Sequence, residues 1–164
     1  MFRRRGGSGV LMESWTSVQK TGRRCDNARM RALLSFLAGF LATLVFHQPV
    51  LWLLHHLHVT PGVPYVMTPV PPFGVPKIIS LAFWGGVWGI VMIYAIARAR
   101  GAAYWLVAAV FGAVLPTLVG NLIISPLRGK PMGTGAAILI GFAVNAAWGL
   151  GTAIFYRLFS GGKR

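Results

Sequence analysis

The sequence predicts an all-α fold, an integral membrane bundle of four helices with both termini in the cytoplasm. Three observations carry that expectation. The 164-residue chain is 55% hydrophobic and only 11% charged, where an average soluble domain carries about 25% charged residues. Four apolar runs free of Asp, Glu, Lys and Arg each approach or exceed the ~20 residues a helix needs to cross roughly 30 Å of hydrocarbon. The cations gather between and beside these runs, and mostly on one side of the implied membrane.

The first run, ALLSFLAGFLATLVFHQPVLWLL, covers residues 32–54, and the second, IISLAFWGGVWGIVMIYAIA, covers 78–97. The third, AAYWLVAAVFGAVLPTLVGNLII, covers 102–124, and the fourth, AAILIGFAVNAAWGLGTAIFY, covers 136–156. Helix is the conformation to expect, because an open sheet edge would leave backbone groups without partners in lipid. The first run reads as an uncleaved signal anchor. The polar stretch before it is long for a signal peptide, and Phe46-His47-Gln48-Pro49 offers no small-residue cleavage site.

Four spans place both ends of the chain and the second connection on one side. Thirteen of the 16 Lys and Arg residues fall there and three, Lys77, Arg128 and Lys130, fall opposite. The excess of cations marks the cytoplasmic face of the membrane. The domain is therefore expected over residues 32–156, between a basic, mostly disordered tail over 1–31 and a short basic tail over 157–164. Within the first tail Leu11, Trp15 and Val18 offer a short apolar face for a membrane surface. Met30, directly before Arg31, is an alternative start.

Lipid tails are as apolar as leucine, so small residues that let backbones approach are what packs such helices. Gly85 and Gly89 recur at four-residue spacing in span two, Gly112 and Gly120 fall on one line with Ala108 and Pro116 in span three, and Gly141 and Gly149 flank Asn145 in span four. These are the expected packing positions. Pro116 and Pro49 are expected to kink or stop their helices. The triplets Trp88-Gly89-Ile90 and Trp148-Gly149-Leu150 lie 60 residues apart, an echo readily produced by chance in a chain with six Trp and 21 Gly.

The charge distribution also removes whole classes of chemistry. The two acids are Glu13 and Asp26, both ahead of the first run. Paired-carboxylate catalysis, carboxylate-held metals and a Ser-His-Asp triad are thereby excluded from the spans. Cys25 is the single cysteine, so no intramolecular disulfide and no CxxC motif exist. The net charge of +14 reads as membrane flanks, and no nucleic acid is expected as a partner. No cofactor and no metal are expected, and no enzymatic activity. Ser80 or Ser125 with His47 could form a dyad, but no GxS-type nucleophile motif accompanies them.

Two features stand out as functional candidates. One is the loop 59–76, VTPGVPYVMTPVPPFGVP, with six prolines and no charge. Its Val, Tyr, Met and Phe content predicts a stiff lid on the outer end of the bundle or a segment among headgroups. The other is a group of polar residues at one depth: His47, Gln48, Ser80, Asn121 and, just beneath them, Asn145. They form a candidate pocket under that loop, since ionisable and amide groups inside a membrane are functional candidates by default. His55, His56 and His58 cluster at the end of span one and have no assigned role.

The stretch FHQPVLWLLHHLHVTPGVPYVMTPVPPFGVPKIISLAFWGGVWG, Phe46 to Gly89, resembles small bacterial integral-membrane proteins of no assigned function. The resemblance implies an inner-membrane location in a bacterium and carries over no site. The size and span number are also similar to the small multidrug-resistance transporters, but those depend on a glutamate in the first helix, and none is present here. The expected function is a non-enzymatic scaffold or a subunit of a larger complex, with the bilayer, a second copy or another membrane protein as partner. The alternative is a small transporter or channel for a neutral solute.

Overall fold

The computed structural model describes residues 8–133 and 135–162, with side chains from residue 22 onward. Its elements are α1 (Ser8–Ala42), a π-helical turn (Thr43–His47), α2 (Gln48–His56), a two-stranded hairpin of β1 (Pro69–Val70) and β2 (Val75–Pro76), α3 (Lys77–Ala95), α4 (Ala102–Val119), a second π-helical turn (Gly120–Ile124), α5 (Ser125–Leu127) and α6 (Ala136–Phe159). Among the described residues four helical segments are long and apolar enough to cross a membrane: Gly22–His56, Lys77–Ala95, Ala102–Leu127 and Ala136–Phe159. The contacts divide the chain into two units, Met1–Leu33 and Leu34–Arg164. The first unit is the leading part of α1, helical from Ser8 through the stretch the sequence assigns to a disordered tail. Residues 1–7 and the side chains of Leu11, Trp15 and Val18 lie outside the described part. The second unit holds the remaining elements.

Pro49 does not end the first long helix. A proline lacks the N–H that an α-turn uses and its ring collides with the carbonyl four residues back. The π-turn removes that conflict by widening the helix one turn earlier. Gln48 N–H donates to the Thr43 carbonyl, five residues back, and Pro49 then falls in the first turn of α2. The same device recurs before Pro126, where Ser125 N–H donates to the Gly120 carbonyl. Pro116 stands inside α4, which continues past it to Val119.

The second unit is built from two antiparallel helix pairs. In the first, α1 and α3 meet backbone to backbone. A Cβ added at Gly39 would run into the Gly85 carbonyl and lie 2.9 Å from the Gly89 Cα, and one added at Gly89 would lie 2.6 Å from the Ser35 carbonyl oxygen. In the second, α4 and α6 meet in the same way. A Cβ at Gly112 would lie 2.5 Å from the Asn145 carbonyl oxygen and 2.8 Å from the Gly149 Cα, and one at Gly149 would strike the Ala108 carbonyl. Glycine is required at these crossings because only a bare Cα permits that approach. Gly85 and Gly89 thus occupy in α3 the places that Asn145 and Gly149 occupy in α6. The Trp-Gly echo marks a structural repeat of two helix pairs, and the coincidence expected from composition gives way to matching seams.

The pairs are joined across one carbonyl. Gly39 O accepts from the Trp148 indole N–H at 3.0 Å and from the Thr43 hydroxyl at 3.0 Å. Phe46 packs on Gly151 and edge-on to Phe155, with ring centres 5.7 Å apart. Trp88 meets Phe111 edge-on at 6.3 Å. Beyond these contacts the core gathers Ala38, Ala42, Met92, Ile93, Ile96, Tyr104, Ala108, Ala153 and Tyr156, at the end of the bundle where α3 turns into α4.

The 57–76 loop is fastened at three places. Gln48 Oε1 accepts from Tyr65 N–H at 2.7 Å, and the Tyr65 hydroxyl donates to the Leu44 carbonyl at 2.9 Å. The loop carbonyls of Val66 and Thr68 accept from the N–H groups of Ile78 and Lys77, both at 3.0 Å. These are among the donors that the first turn of a helix cannot satisfy internally, so the loop caps α3. The hairpin pairs Pro69 with Pro76 and Val70 with Val75, and the Pro71–Pro72 bond is cis. Gly101 and Gly135 start α4 and α6 at φ +58° and +47°, a region where a side chain is strained.

Candidate functional site

Where the two helix pairs face each other they leave a cavity of about 640 Å³. That lies within the ~300–1,000 Å³ of small-molecule sites. Its walls come from all four long helices. Thr43 and His47 of the first π-turn line it, with Leu81, Trp84, Gly85, Val87, Trp88 and Val91 of α3. Across from them stand Pro116 and Val119 of α4, Gly120 and Ile124 of the second π-turn, Leu127, Arg128, and Asn145 and Trp148 of α6. The lining is apolar and aromatic apart from Thr43, His47, Asn145, Arg128 and the N–H groups of Trp84, Trp88 and Trp148. Both π-turns contribute, and such turns re-aim side chains out of the α-helical register and recur at functional sites.

The polar atoms of this cavity are mostly committed. Thr43 and Trp148 donate to Gly39 O. Asn145 Nδ2 donates to the Thr117 hydroxyl at 2.9 Å, tying α6 to α4. His47 Nδ1 lies 3.2 Å from Gln48 Nε2. Gly85 keeps the floor open. A Cβ there would strike the Thr43 hydroxyl and sit 3.2 Å from the Trp148 ring nitrogen. Among the described residues no cluster of His, Cys, Asp or Glu is suited to a metal ion.

A smaller cavity of about 250 Å³ lies between α4, the second π-turn and α6. Thr117, Asn121, Ser125, Gly133, Gly141 and Asn145 are among its walls, and Pro116, Gly120 and Asn145 are shared with the larger one. Asn121 is anchored to the connection that comes after it, accepting from Gly133 N–H at 2.6 Å and donating to the Gly133 carbonyl at 3.0 Å. Gln48 does the same for the loop after α2. Each helix pair therefore carries one amide that clamps its own connection.

The five residues expected to form one pocket are distributed among three places. His47 and Asn145 share the large cavity, and Asn121 joins Asn145 on the small one. Gln48 is buried and spent on Tyr65 and His47. Ser80 is half-buried and lines neither cavity. The expected lid does not cover them: no residue of the 57–76 loop lines either cavity. Of the expected packing glycines, Gly85, Gly89, Gly112 and Gly149 lie in the two seams, and Gly141 packs on Thr117. Gly120 does not pack; a Cβ there would meet nothing within 4 Å, because the residue borders both cavities. Sequence reasoning missed Gly39 and the tryptophans. The Ser35–Gly39–Thr43 spacing was the available signal for Gly39.

Comparison with protein-family models, with curated proteins and with solved structures finds no match.

Proposed function

We propose that this chain is a multi-pass protein of a bacterial inner membrane, with both termini in the cytoplasm, and that it binds an uncharged, largely apolar molecule in the cavity between its two helix pairs. It acts as a small carrier or transporter for that molecule. The observation that supports this reading is the cavity of about 640 Å³ with Trp84, Trp88 and Trp148 in its walls and His47 and Asn145 as polar points. A scaffold needs no such space. Trp84, Val91, Ile124 and Leu127 of its wall are exposed, so the space is open to a molecule dissolved in the bilayer. Without a carboxylate in the spans, and with Arg128 on the wall, a cationic ligand is disfavoured, and the mostly apolar lining suits an uncharged one.

The orientation is argued from the cations. Arg98 and Arg100 between α3 and α4 and Arg157 at the end of α6 belong on the cytoplasmic side. The π-turns and the loop 57–76 then lie toward the periplasm. The exposed Val63, Met67 and Phe73 of that loop suit the headgroup region better than water.

The test uses the intrinsic fluorescence of the cavity tryptophans in lipid nanodiscs. A dibrominated methyl stearate, added at low mole fraction, is expected to quench the wild type saturably. Gly120→Leu fills the cavity without entering a seam and is expected to leave only the weak collisional quenching of lipid-facing rings. Equal, non-saturating quenching of both proteins would refute the binding role.

A further inference from the structure

We propose that the end of the bundle where α3 turns into α4 holds one anionic phospholipid, its headgroup phosphate on Arg157 with Arg98 and Arg100 beside it. The proposal rests on the chain being a membrane protein and is independent of the cavity. It starts from the place of Arg157. The Tyr104 hydroxyl donates to the Ala153 carbonyl at 3.2 Å, which ties the first turn of α4 to the last turns of α6. Arg157 follows one turn later. Its guanidinium carbon stands 5.9 Å from the centre of the Tyr104 ring and 5.5 Å from that of Trp105. The two rings meet edge-on, with centres 5.3 Å apart. Aromatic faces attract a cation at such distances, so this long side chain is held in one place. The rings offset part of its charge, but its N–H donors still call for oxygen.

Arg98 and Arg100 belong to the same end. They flank Ala99, which packs on the core cluster that also holds Tyr104 and Tyr156, the residue before Arg157. Ala99 and Arg157 are half-buried, while Arg98 and Arg100 are exposed. No acidic side chain follows Asp26 in the chain, so the second unit has none of its own to neutralise these cations. A half-buried cation without a counter-charge is costly, and a guanidinium pairs best with a planar fork of oxygens from carboxylate or phosphate. The adjoining surface says which anion. Leu106 and Val110 are exposed and share one face of α4 at four-residue spacing, beginning beside Trp105 and leading away from the arginines along the span. A soluble anion gains nothing from that stripe. A phospholipid lays an acyl chain along it while its phosphate stays at the level of the arginines, and basic residues at a membrane surface draw anionic headgroups.

The experiment is native mass spectrometry of the full chain in mild detergent, incubated with equal amounts of dioleoyl phosphatidylglycerol and dioleoyl phosphatidylcholine. The wild type is expected to retain one phosphatidylglycerol with about tenfold preference or better. Arg157→Gln is expected to lose that preference, and the Arg98→Gln, Arg100→Gln double variant to lower it about fivefold. Lys77→Gln removes a cation at the other end of α3 and is expected to leave it unchanged. Excess glycerol phosphate, the same anion without acyl chains, is expected not to displace the lipid. Equal retention of the two lipids by the wild type, an unchanged preference in Arg157→Gln, an equal loss in Lys77→Gln, or displacement by glycerol phosphate overturns the proposal. If Arg157→Gln does not fold, the double variant decides, because both its side chains are exposed. Failure of the membrane reading shows separately, as a chain that stays dispersed once detergent is removed and before any lipid is added.

Discussion

Replacing Gly112 with alanine would place a methyl carbon 2.5 Å from the Asn145 carbonyl oxygen, 2.8 Å from the Gly149 Cα and 3.0 Å from its nitrogen. All three are backbone atoms, so no side-chain rotation relieves the overlap. The α4–α6 pair has to separate, and the Tyr104 hydroxyl bond to the Ala153 carbonyl at 3.2 Å is strained with it. Overpacking of this kind costs about 1–3 kcal/mol. The helix-propensity gain of alanine over glycine offsets up to about 1 kcal/mol of that. Gly120→Ala is the matched control, because its Cβ meets nothing within 4 Å and the propensity gain remains. The two variants should therefore differ by about 1–3 kcal/mol, or roughly 2–12 °C in Tm, for a domain of this size. The assay is the fraction of protein that stays monodisperse in mild detergent after heating across a temperature series. Gly112→Ala should melt below the wild type and Gly120→Ala at or above it. Equal melting of the two variants would refute the backbone-contact account of the seams.

Trp148→Phe and Thr43→Val each remove one donor from Gly39 O and should each cost about 0.5–1.5 kcal/mol. Together they strip the carbonyl of both side-chain donors and should cost more than the sum, which a double-mutant cycle on thermal stability will measure. Gln48→Ala leaves Tyr65 N–H without its acceptor, and proteolysis within the 57–76 loop should accelerate about fivefold or more; unchanged cleavage would mean the amide does not fasten the loop. A phosphatase fused at Arg164 should be inactive and one inserted after Gly62 active; the reverse pattern would invert the proposed orientation.

The four apolar helices were legible because composition and run length alone decide them. Depth along the chain was legible in part: His47 and Asn145, assigned to neighbouring levels, line one cavity. The facing of a residue was not. Ser80 has the right depth and the wrong face, since α3 turns Leu81, Trp84, Gly85 and Trp88 toward the cavity instead. The π-turns are the physical reason that helical periodicity failed at the site. Each adds a residue to a turn and rotates the helix beyond it, and only the later Gln48-Pro49 and Ser125-Pro126 pairs hint at their place. Gln48 was read as a pocket group because its partner, Tyr65 N–H, lies 17 residues away in a loop whose path no local pattern gives. Gly120 looked like a ridge member by its spacing from Gly112, but it borders both cavities and a Cβ there would meet nothing within 4 Å.

Whether the space between the helix pairs is occupied in the cell can be read from the lipids that the protein carries out of the membrane. The wild type and Gly120→Leu would be purified side by side in a mild detergent, denatured, and their lipid extracts compared by mass spectrometry. The account predicts an uncharged, largely apolar molecule present in near-stoichiometric amount with the wild type and depleted from Gly120→Leu. Identical extracts from the two proteins, containing only bulk phospholipid, would contradict it.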